Sequence, residues 1–267
     1  VREVEVINRG GFGVVHKVEI DGQHFAKKTF DPQIQTGTDR EKLRRRFVRE
    51  VKIQSRIKHP NIMPIFRYDL DTTPPWFLMP LASASFEKKI AEDVLSSTID
   101  KSAWQDILAA VEELHRLGYV HRDLKPGNVL KVGDRWVIAD FGLVLPTVRD
   151  TTRLTGSHTA FGSHYYAAPE QAHDFHNVSD VADIFALGCI LHDTICDSPS
   201  RVPFAQIHFD GPYAEILGKC TAVDARERFQ NVAFFRAALF DLWQTEEASS
   251  SEEDDDFTLE AVQSVFF

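Results

Sequence analysis

The chain is poor in cysteine and methionine and has no long apolar runs, and these shortages remove whole classes of protein. Its three cysteines, Cys189, Cys196 and Cys220, are odd in number and lack metal-ligand spacing. They make neither a disulfide framework nor a zinc module, and read as reduced, buried thiols suited to a cytoplasmic protein. No apolar stretch among the 267 residues approaches the ~20 that a membrane-crossing helix needs, so no membrane span is expected in this chain. The opening VREVEVINRGG alternates like a strand and has none of the apolar centre of a signal peptide. Internal repeats are absent, and no face is dominated by cations as nucleic-acid binding requires, so no nucleic-acid partner is expected. The formal charge is −10, yet residues 246–256 (EEASSSEEDDD) alone carry seven acidic and no basic side chains, leaving the rest near −3. The acidity is a property of the tail, not of a partner-binding surface. With 43% hydrophobic and 26% charged residues the chain falls in the range of folded globular proteins, and its length suits one large domain or two lobes sharing a cleft.

Two periodicities divide what is there. VREVEVI, GVVHKVEI and QHFAKKTF alternate as strands, with Asp21-Gly22 as the turn between the last two, and NIMPIFRYDL and PWFLMPL add further strand runs. One helix interrupts them over about 39–57, where Phe47, Val48, Val51 and Ile57 form an apolar stripe through a very basic surface, and His59-Pro60-Asn61 ends it. From about residue 86 the period becomes helical. Residues 101–117 place Trp104, Ile107, Leu108, Val111 and Leu114 on one face before Gly118, and further helices are expected at 168–172, 179–196, 212–219 and 230–243. At 244 the composition shifts to a Ser/Glu/Asp run that reads as a disordered linker, followed by the apolar TLEAVQSVFF with Thr258 as a candidate N-cap. The expectation is an α+β fold with a small antiparallel sheet and one main helix over 1–81, a mainly helical part over 82–244, and an acidic linker with a short apolar end over 245–267.

The chemistry concentrates in GYVHRDLKPGNVLKVGDRWVIADFG, residues 118–142. Asn128 and Asp140 offer carboxamide and carboxylate oxygens of the kind that suits Mg²⁺, a hard cation that usually shares its ligands with substrate phosphates. Asp123 is then free to orient an attacking hydroxyl and accept its proton, and Lys125 could set its ammonium against a transferred phosphoryl group. Such a site needs a phosphate cradle, and NRGGFGVV offers one, since Gly10, Gly11 and Gly13 let backbone N–H groups approach phosphate oxygens. A glycine-rich hairpin is more often only a turn, so the cradle needs support from elsewhere. Alternation in FAKK puts Ala26 and Lys28 on one face, where Lys28 could reach phosphates and Glu50, in RRRFVREVKI, would be its counter-charge. Taken singly, Lys28 and Glu50 read equally as solvated surface charges.

Together these stretches resemble the eukaryotic-type (Hanks-type) serine/threonine protein kinases over about residues 3–243. HRDLKPGN at 121–128, DFG at 140–142 and APE at 168–170 stand in the family's order and approximate spacing. The resemblance implies a bilobal protein-kinase fold and transfer of the γ-phosphoryl group of ATP, with Mg²⁺ (Mn²⁺ as a substitute), to serine or threonine hydroxyls of proteins. It implies that Lys28 holds the α and β phosphates with Glu50 as helix partner, that Asp123 is the base, and that Asn128 and Asp140 hold the metal. Lys125 after Asp123 marks the serine/threonine branch, and Ser163 in GSHYYAAPE matches a hydroxyl that steadies the base and the lysine. Val15 and Ala26 would roof the adenine and Leu130 floor it, beside a Met79 gatekeeper. Pro80 offers a hinge carbonyl but no N–H, which Ala82 would supply. Asp183 matches an aspartate bracing the HRD backbone, and Arg228 an arginine pairing with Glu170. Asn8 departs from the family, which usually has glycine there, and implies a modest effect on nucleotide affinity. PGNVL and PEQA look bacterial.

Regulation is suggested by Thr147, Thr151, Thr152, Thr155, Ser157 and Thr159, a cluster of hydroxyls between Asp140 and Glu170. Arg122, with the basic helix (Arg40, Lys42, Arg44, Arg45, Arg46, Arg49), could gather a phosphate placed there by autophosphorylation, foremost on Thr159, within a homodimer. The same helix reads equally as a solvated face. The tail is either a tether ending in a docking segment or the stub of a longer region. Two other functions remain as alternatives. One is a pseudokinase scaffold, which the intact Lys28, Asp123, Asn128 and Asp140 oppose; the other is a small-molecule phosphotransferase, opposed by the complete segment from DFG to APE.

Overall fold

The computed structural model describes residues 1–10, 13–32, 39–96, 98–141, 145–146, 163–173, 178–196 and 201–263, with backbone alone at 145, 146, 163 and 249–263. Strands β1 (Arg2–Gly10), β2 (Gly13–Ile20), β3 (Gln23–Phe30), β4 (Arg67–Asp69) and β5 (Trp76–Pro80) form an antiparallel sheet in the order β1-β2-β3-β5-β4. The β2–β3 turn falls at Asp21-Gly22, both with positive φ (51° and 78°), as the sequence predicts. Of the run NIMPIFRYDL only Arg67–Asp69 is a strand, shorter than its apolar content suggests. Ile62, Met63 and Ile65 are instead buried as a connecting segment, with Met63 N–H donating to Ile138 O at 2.9 Å. β3 buries Ala26, Lys28 and Phe30 in alternation, so a lysine stands on the core face of the sheet.

Helix α1 (Arg40–Gln54) crosses that face. The Asp39 side chain caps it by accepting the N–H groups of Glu41 and Lys42, and Phe47, Glu50, Val51 and Gln54 are its buried stripe. Phe47 packs against Phe30 and Phe77 with ring centroids 5.7 and 5.6 Å apart, which holds α1 on the sheet. The amide of Gln54 donates to Met63 O at 2.8 Å, tying the last turn to the chain that follows.

A second core begins with β6 (Ala84–Ser85), α2 (Phe86–Ser96) and α3 (Lys101–Arg116). Short strands β7 (Tyr119–Val120), β8 (Val129–Val132), β9 (Arg135–Ile138) and β10 (Leu145–Pro146) carry the functional segment, β8 pairing with both β6 and β9 and β10 pairing with β7. Helices α4 (Pro169–His173), α5 (Val181–Ile195), α6 (Ala214–Cys220) and α7 (Val232–Gln263) complete it. From Val181 to Thr194 every residue of α5 is buried, with α2 and α6 packed against it. The bilobal α+β protein-kinase architecture expected from the sequence is the one observed.

The expected disordered linker after 244 is a correction: α7 continues without a break to Gln263. Between 232 and 263 there is no glycine or proline to end a helix, and Glu, Ala and Leu favour one, so the acidic composition does not stop it. Buried Phe235, Leu239 and Trp243 anchor its first half, and Arg236 pairs with Glu112 on α3. None of the helices among the described residues is long and apolar enough to cross a membrane.

Candidate active site

Two clusters meet where the sheet faces the helical core. In the first, Lys28 Nζ lies 2.7 Å from Glu50 Oε1 and 3.2 Å from Asp140 Oδ1, so one cation bridges β3, α1 and the segment after β9. Burial opposes the charge on Lys28, but the Asp140 and Glu50 carboxylates outweigh it and raise its pKa. Glu50, 1% exposed and with Oε2 unpartnered among the described residues, is raised by burial more than Lys28 lowers it. Partial burial likewise works against the Asp140 carboxylate, yet Lys28 and Lys125 hold it below the ordinary range. Half-buried Arg46, one turn before Glu50, has its pKa lowered by burial and by Arg49, against the opposing charges of Glu50, Asp140 and Asp123. The basic helix therefore turns part of its charge toward the site and is not a wholly solvated face.

In the second cluster, Lys125 Nζ lies 3.0 Å from Asp123 Oδ2. The amide of Asn128, in a 3-10 turn over Pro126–Asn128, donates to Asp123 O at 2.7 Å and to Asp123 Oδ2 at 3.1 Å. The clusters are joined through the backbone, because Ala139 N–H donates to Asn128 O at 2.8 Å and Ala139 O accepts from His121 Nε2 at 3.1 Å. That hydrogen bond leaves His121 Nδ1 to accept the Asp123 N–H at 3.3 Å. Asp140 (φ 63°) and Arg122 (φ 68°) both have left-handed backbone, a conformation that non-glycine residues hold only where the surroundings over-determine it.

At Arg122, what over-determines it is Asp183, near the start of α5 and 1% exposed. It accepts the backbone N–H groups of His121 and Arg122 and the ring of His115, each at 2.8 Å. Burial works against its charge, but the His115 hydrogen bond and charge, His121 and the Arg122 N–H outweigh it, and its pKa lies below the ordinary 3.8. From the other side the Gln171 amide donates to Arg122 O at 2.9 Å. Arg228, fully buried, holds Glu170 bidentately at 2.7 and 2.8 Å and lies 5.1 Å from the Phe185 ring.

The remaining predicted residues fall around these clusters. Ala26 and Met79 are buried in one apolar cluster, with Val15 and Leu130 packed against it, so the four expected to enclose a base do share a surface. Pro80 ends β5 opposite Phe25, and Ala82 follows it half-buried. Gly10 and Gly13 pair across the β1–β2 turn, and Asn8 pairs with Val15 beside a register shift. A Cβ on Gly13 would lie 2.2 Å from Thr29 O, so close backbone approach demands glycine there. Gly11, the hydroxyls from Thr147 to Thr159 and Gly142 lie outside the described residues, as does the side chain of Ser163, whose backbone starts a 3-10 turn.

Sequence reading missed one network. Asp193 accepts Tyr166 O–H at 2.8 Å and two Arg201 bonds at 2.8 and 2.7 Å, and Arg201 also reaches Tyr165 O. It fastens the segment before α4 to the end of α5. Periodicity carries no signal for it, since the partners come from three separate stretches.

Comparison with known proteins agrees with this geometry. The family model described as protein kinase domain matches residues 1–249. A DNA damage-responsive serine/threonine-protein kinase of Deinococcus radiodurans is 37% identical over 170 residues, 60% of this chain and 24% of that protein. The serine/threonine-protein kinase AfsK of Streptomyces griseus is 32% identical over 193 residues (70% and 23%), and PknD of Chlamydia caviae 28% over 284 (88% and 30%). A bilobal α+β fold with a lysine bridging two carboxylates defines the class, and the chain belongs to the protein kinase family. It spans between 23% and 30% of the length of these three relatives.

Proposed function

We propose that this chain is a serine/threonine protein kinase that transfers the γ-phosphoryl group of ATP to serine and threonine hydroxyls of proteins. The observation that carries the reading is the convergence of Lys28, Glu50 and Asp140 beside Asp123, Lys125 and Asn128. Asp123 is the base: fixed by Asn128 and Lys125, it orients the incoming hydroxyl and takes its proton. Lys28, kept cationic by two carboxylates, neutralises phosphate charge, and Lys125 does so at the transferred group. Val15, Ala26, Met79 and Leu130 enclose the adenine, with the Pro80 carbonyl and the Ala82 N–H at its polar edge. Gly10, Gly11 and Gly13 cradle the phosphates, with Asn8 at the start of the turn. Ser163 steadies Asp123 and Lys125.

Asn128 and Asp140 offer only oxygen donors, the set that suits Mg²⁺ or Mn²⁺. A metal held there would share its coordination with the substrate phosphates. When bound it would neutralise phosphate charge. Autophosphorylation between residues 147 and 159, in trans within a homodimer, is the regulation proposed, with Arg46 and Arg122 as receiving cations. The buried thiols of Cys189 and Cys220 support a cytoplasmic setting.

The test is incubation of the chain with Mg²⁺, labelled ATP and casein, beside Asp123→Ala and Asp140→Ala, with phosphosites mapped. Label on serine or threonine in the wild type alone is expected. No transfer despite nucleotide binding would refute kinase activity in favour of a binding scaffold, and absence of phosphate between 143 and 163 in active enzyme would refute the autophosphorylation.

A further inference from the structure

Charge is unevenly placed on this molecule. Residues 40–58 hold nine basic and two acidic side chains in a chain whose formal charge is −10. Some of these cations are committed: Arg44 donates to Leu70 O at 2.9 Å, Arg40 lies over the Phe30 ring, and Arg46 turns toward the site. Arg45, Arg49 and Lys52 stand at i, i+4 and i+7 on α1, a single stripe on the side opposite Phe47, Glu50, Val51 and Gln54, and Arg56 carries it past the end of the helix. Arg45, Lys52 and Arg56 are exposed, Arg49 is half-buried, and none of the four forms an ion pair among the described residues.

The matching negative charge belongs to the same chain but stands elsewhere. Residues 252–256 are five consecutive acids, with Glu260 beyond them, on the continuous helix α7. α7 runs antiparallel to α3, because Arg236 pairs with Glu112 and, further along, Glu247 pairs with Lys101. α1 ends beside the other end of α3: the Glu113 carboxyl, on the last turn of α3, is held low by Arg116 and also by the charge of His59, just past α1. At 1.5 Å rise per residue, Glu113 is ~18 Å from Lys101 along α3, and residues 252–256 lie a further ~8–14 Å beyond Glu247 along α7. The acidic run therefore stands roughly 26–32 Å down the axis from the turn that adjoins α1. An unbroken helix does not fold it back, so within one chain the two surfaces do not meet.

We propose that the basic stripe of α1 docks the acidic end of α7 from a second copy of this chain. Charge complementarity selects that occupant, and because each copy carries one basic stripe and one acidic run, far apart, the contact is head to tail. The two also match in length: Arg45 to Lys52 covers ~11 Å of helix and residues 252–260 cover ~12 Å. The attraction joins surface charges, so salt screens it. It rests on no part of the phosphoryl-transfer reading, since none of these residues belongs to that site.

The experiment is sedimentation velocity of the whole chain, dephosphorylated and free of nucleotide, over a range of concentrations in about 0.05 and about 0.5 M salt. Reversible association is expected at low salt and the 30.3 kDa monomer at high salt. Two charge-reversed variants follow, Arg45→Glu with Lys52→Glu and Arg56→Glu, and Glu252→Lys with Glu253→Lys and Asp256→Lys, each expected to associate at least about tenfold more weakly than the wild type. Mixed, they should associate again, because the first still offers a native acidic run and the second a native basic stripe; that recovery also shows that both are folded. A wild type that associates equally at both salts, either variant associating as the wild type does, or a mixture no better than its separate components would each overturn the proposal. So would a wild type that stays monomeric at low salt, and if that monomer bound phosphatidylserine vesicles the stripe would belong to a lipid surface instead.

Discussion

Replacing Asp183 with asparagine keeps its shape and removes its charge. The aspartate now satisfies three donors: Arg122 N–H on Oδ1, and His121 N–H with the His115 ring on Oδ2, all at 2.8 Å. An asparagine has one acceptor oxygen. With that oxygen in the Oδ2 position, its NH₂ faces the buried Arg122 N–H, donor against donor, at a cost of about 1–3 kcal/mol; the opposite orientation orphans two donors and is worse. The two retained bonds fall from charge-assisted to neutral strength, about 1 kcal/mol each. The sum, about 3–5 kcal/mol, is a large fraction of the 5–15 kcal/mol that holds a typical domain folded, and corresponds to a fall in melting temperature of about 10 °C for a chain of this size. Thermal unfolding at pH 7 measures it.

The same variant has a pH signature. The folded pKa of Asp183 lies below the ordinary 3.8, so the stability it contributes is present at and above that pH and is lost as pH falls through the folded value. The difference between wild type and Asp183→Asn should therefore be full at neutral pH and shrink below pH 3.8. A variant melting within about 2 °C of the wild type at pH 7 would refute the reasoning, because it would mean that the left-handed turn at Arg122 holds without the carboxylate.

Gly188→Ala would place a Cβ 2.5 Å from Cys220 Cβ and 2.9 Å from Thr221 Cγ2, between α5 and α6, and should lower the unfolding free energy by about 1–3 kcal/mol, read as a lower urea midpoint with the slope unchanged. Glu170→Ala leaves the fully buried Arg228 without its carboxylate; since Glu170 is 30% exposed, we expect the low end of the range for a broken buried pair, about 3 kcal/mol, read by thermal unfolding. Lys28→Met removes the cation between Glu50 and Asp140, and should reduce labelled phosphate transfer at least ~100-fold while the circular-dichroism spectrum stays that of the wild type.

The sequence by itself determined the class of fold and most of the candidate site. Alternation and helical period are local properties, so β1 to β3, α1, α3 and α5 fall close to their predicted bounds. Lys28 and Glu50 were legible only as a suggestion, because a charge looks the same on a solvated face and in a core until its partner is placed. Packing of α1 on the sheet through Phe47 settled that, putting the two 2.7 Å apart. The structure decided what depends on distant partners. It built the Tyr166–Asp193–Arg201 network, left an unpartnered Asp93 oxygen in a buried position, and showed that the brace the resemblance assigned to Asp183 is closed by the His115 ring as well. It also carried α7 through an acidic run that composition alone assigns to a linker, because nothing in that stretch breaks a helix already anchored by Phe235, Leu239 and Trp243. Period is written in neighbouring residues, but satisfaction of a buried charge is a property of whichever residues the fold brings beside it.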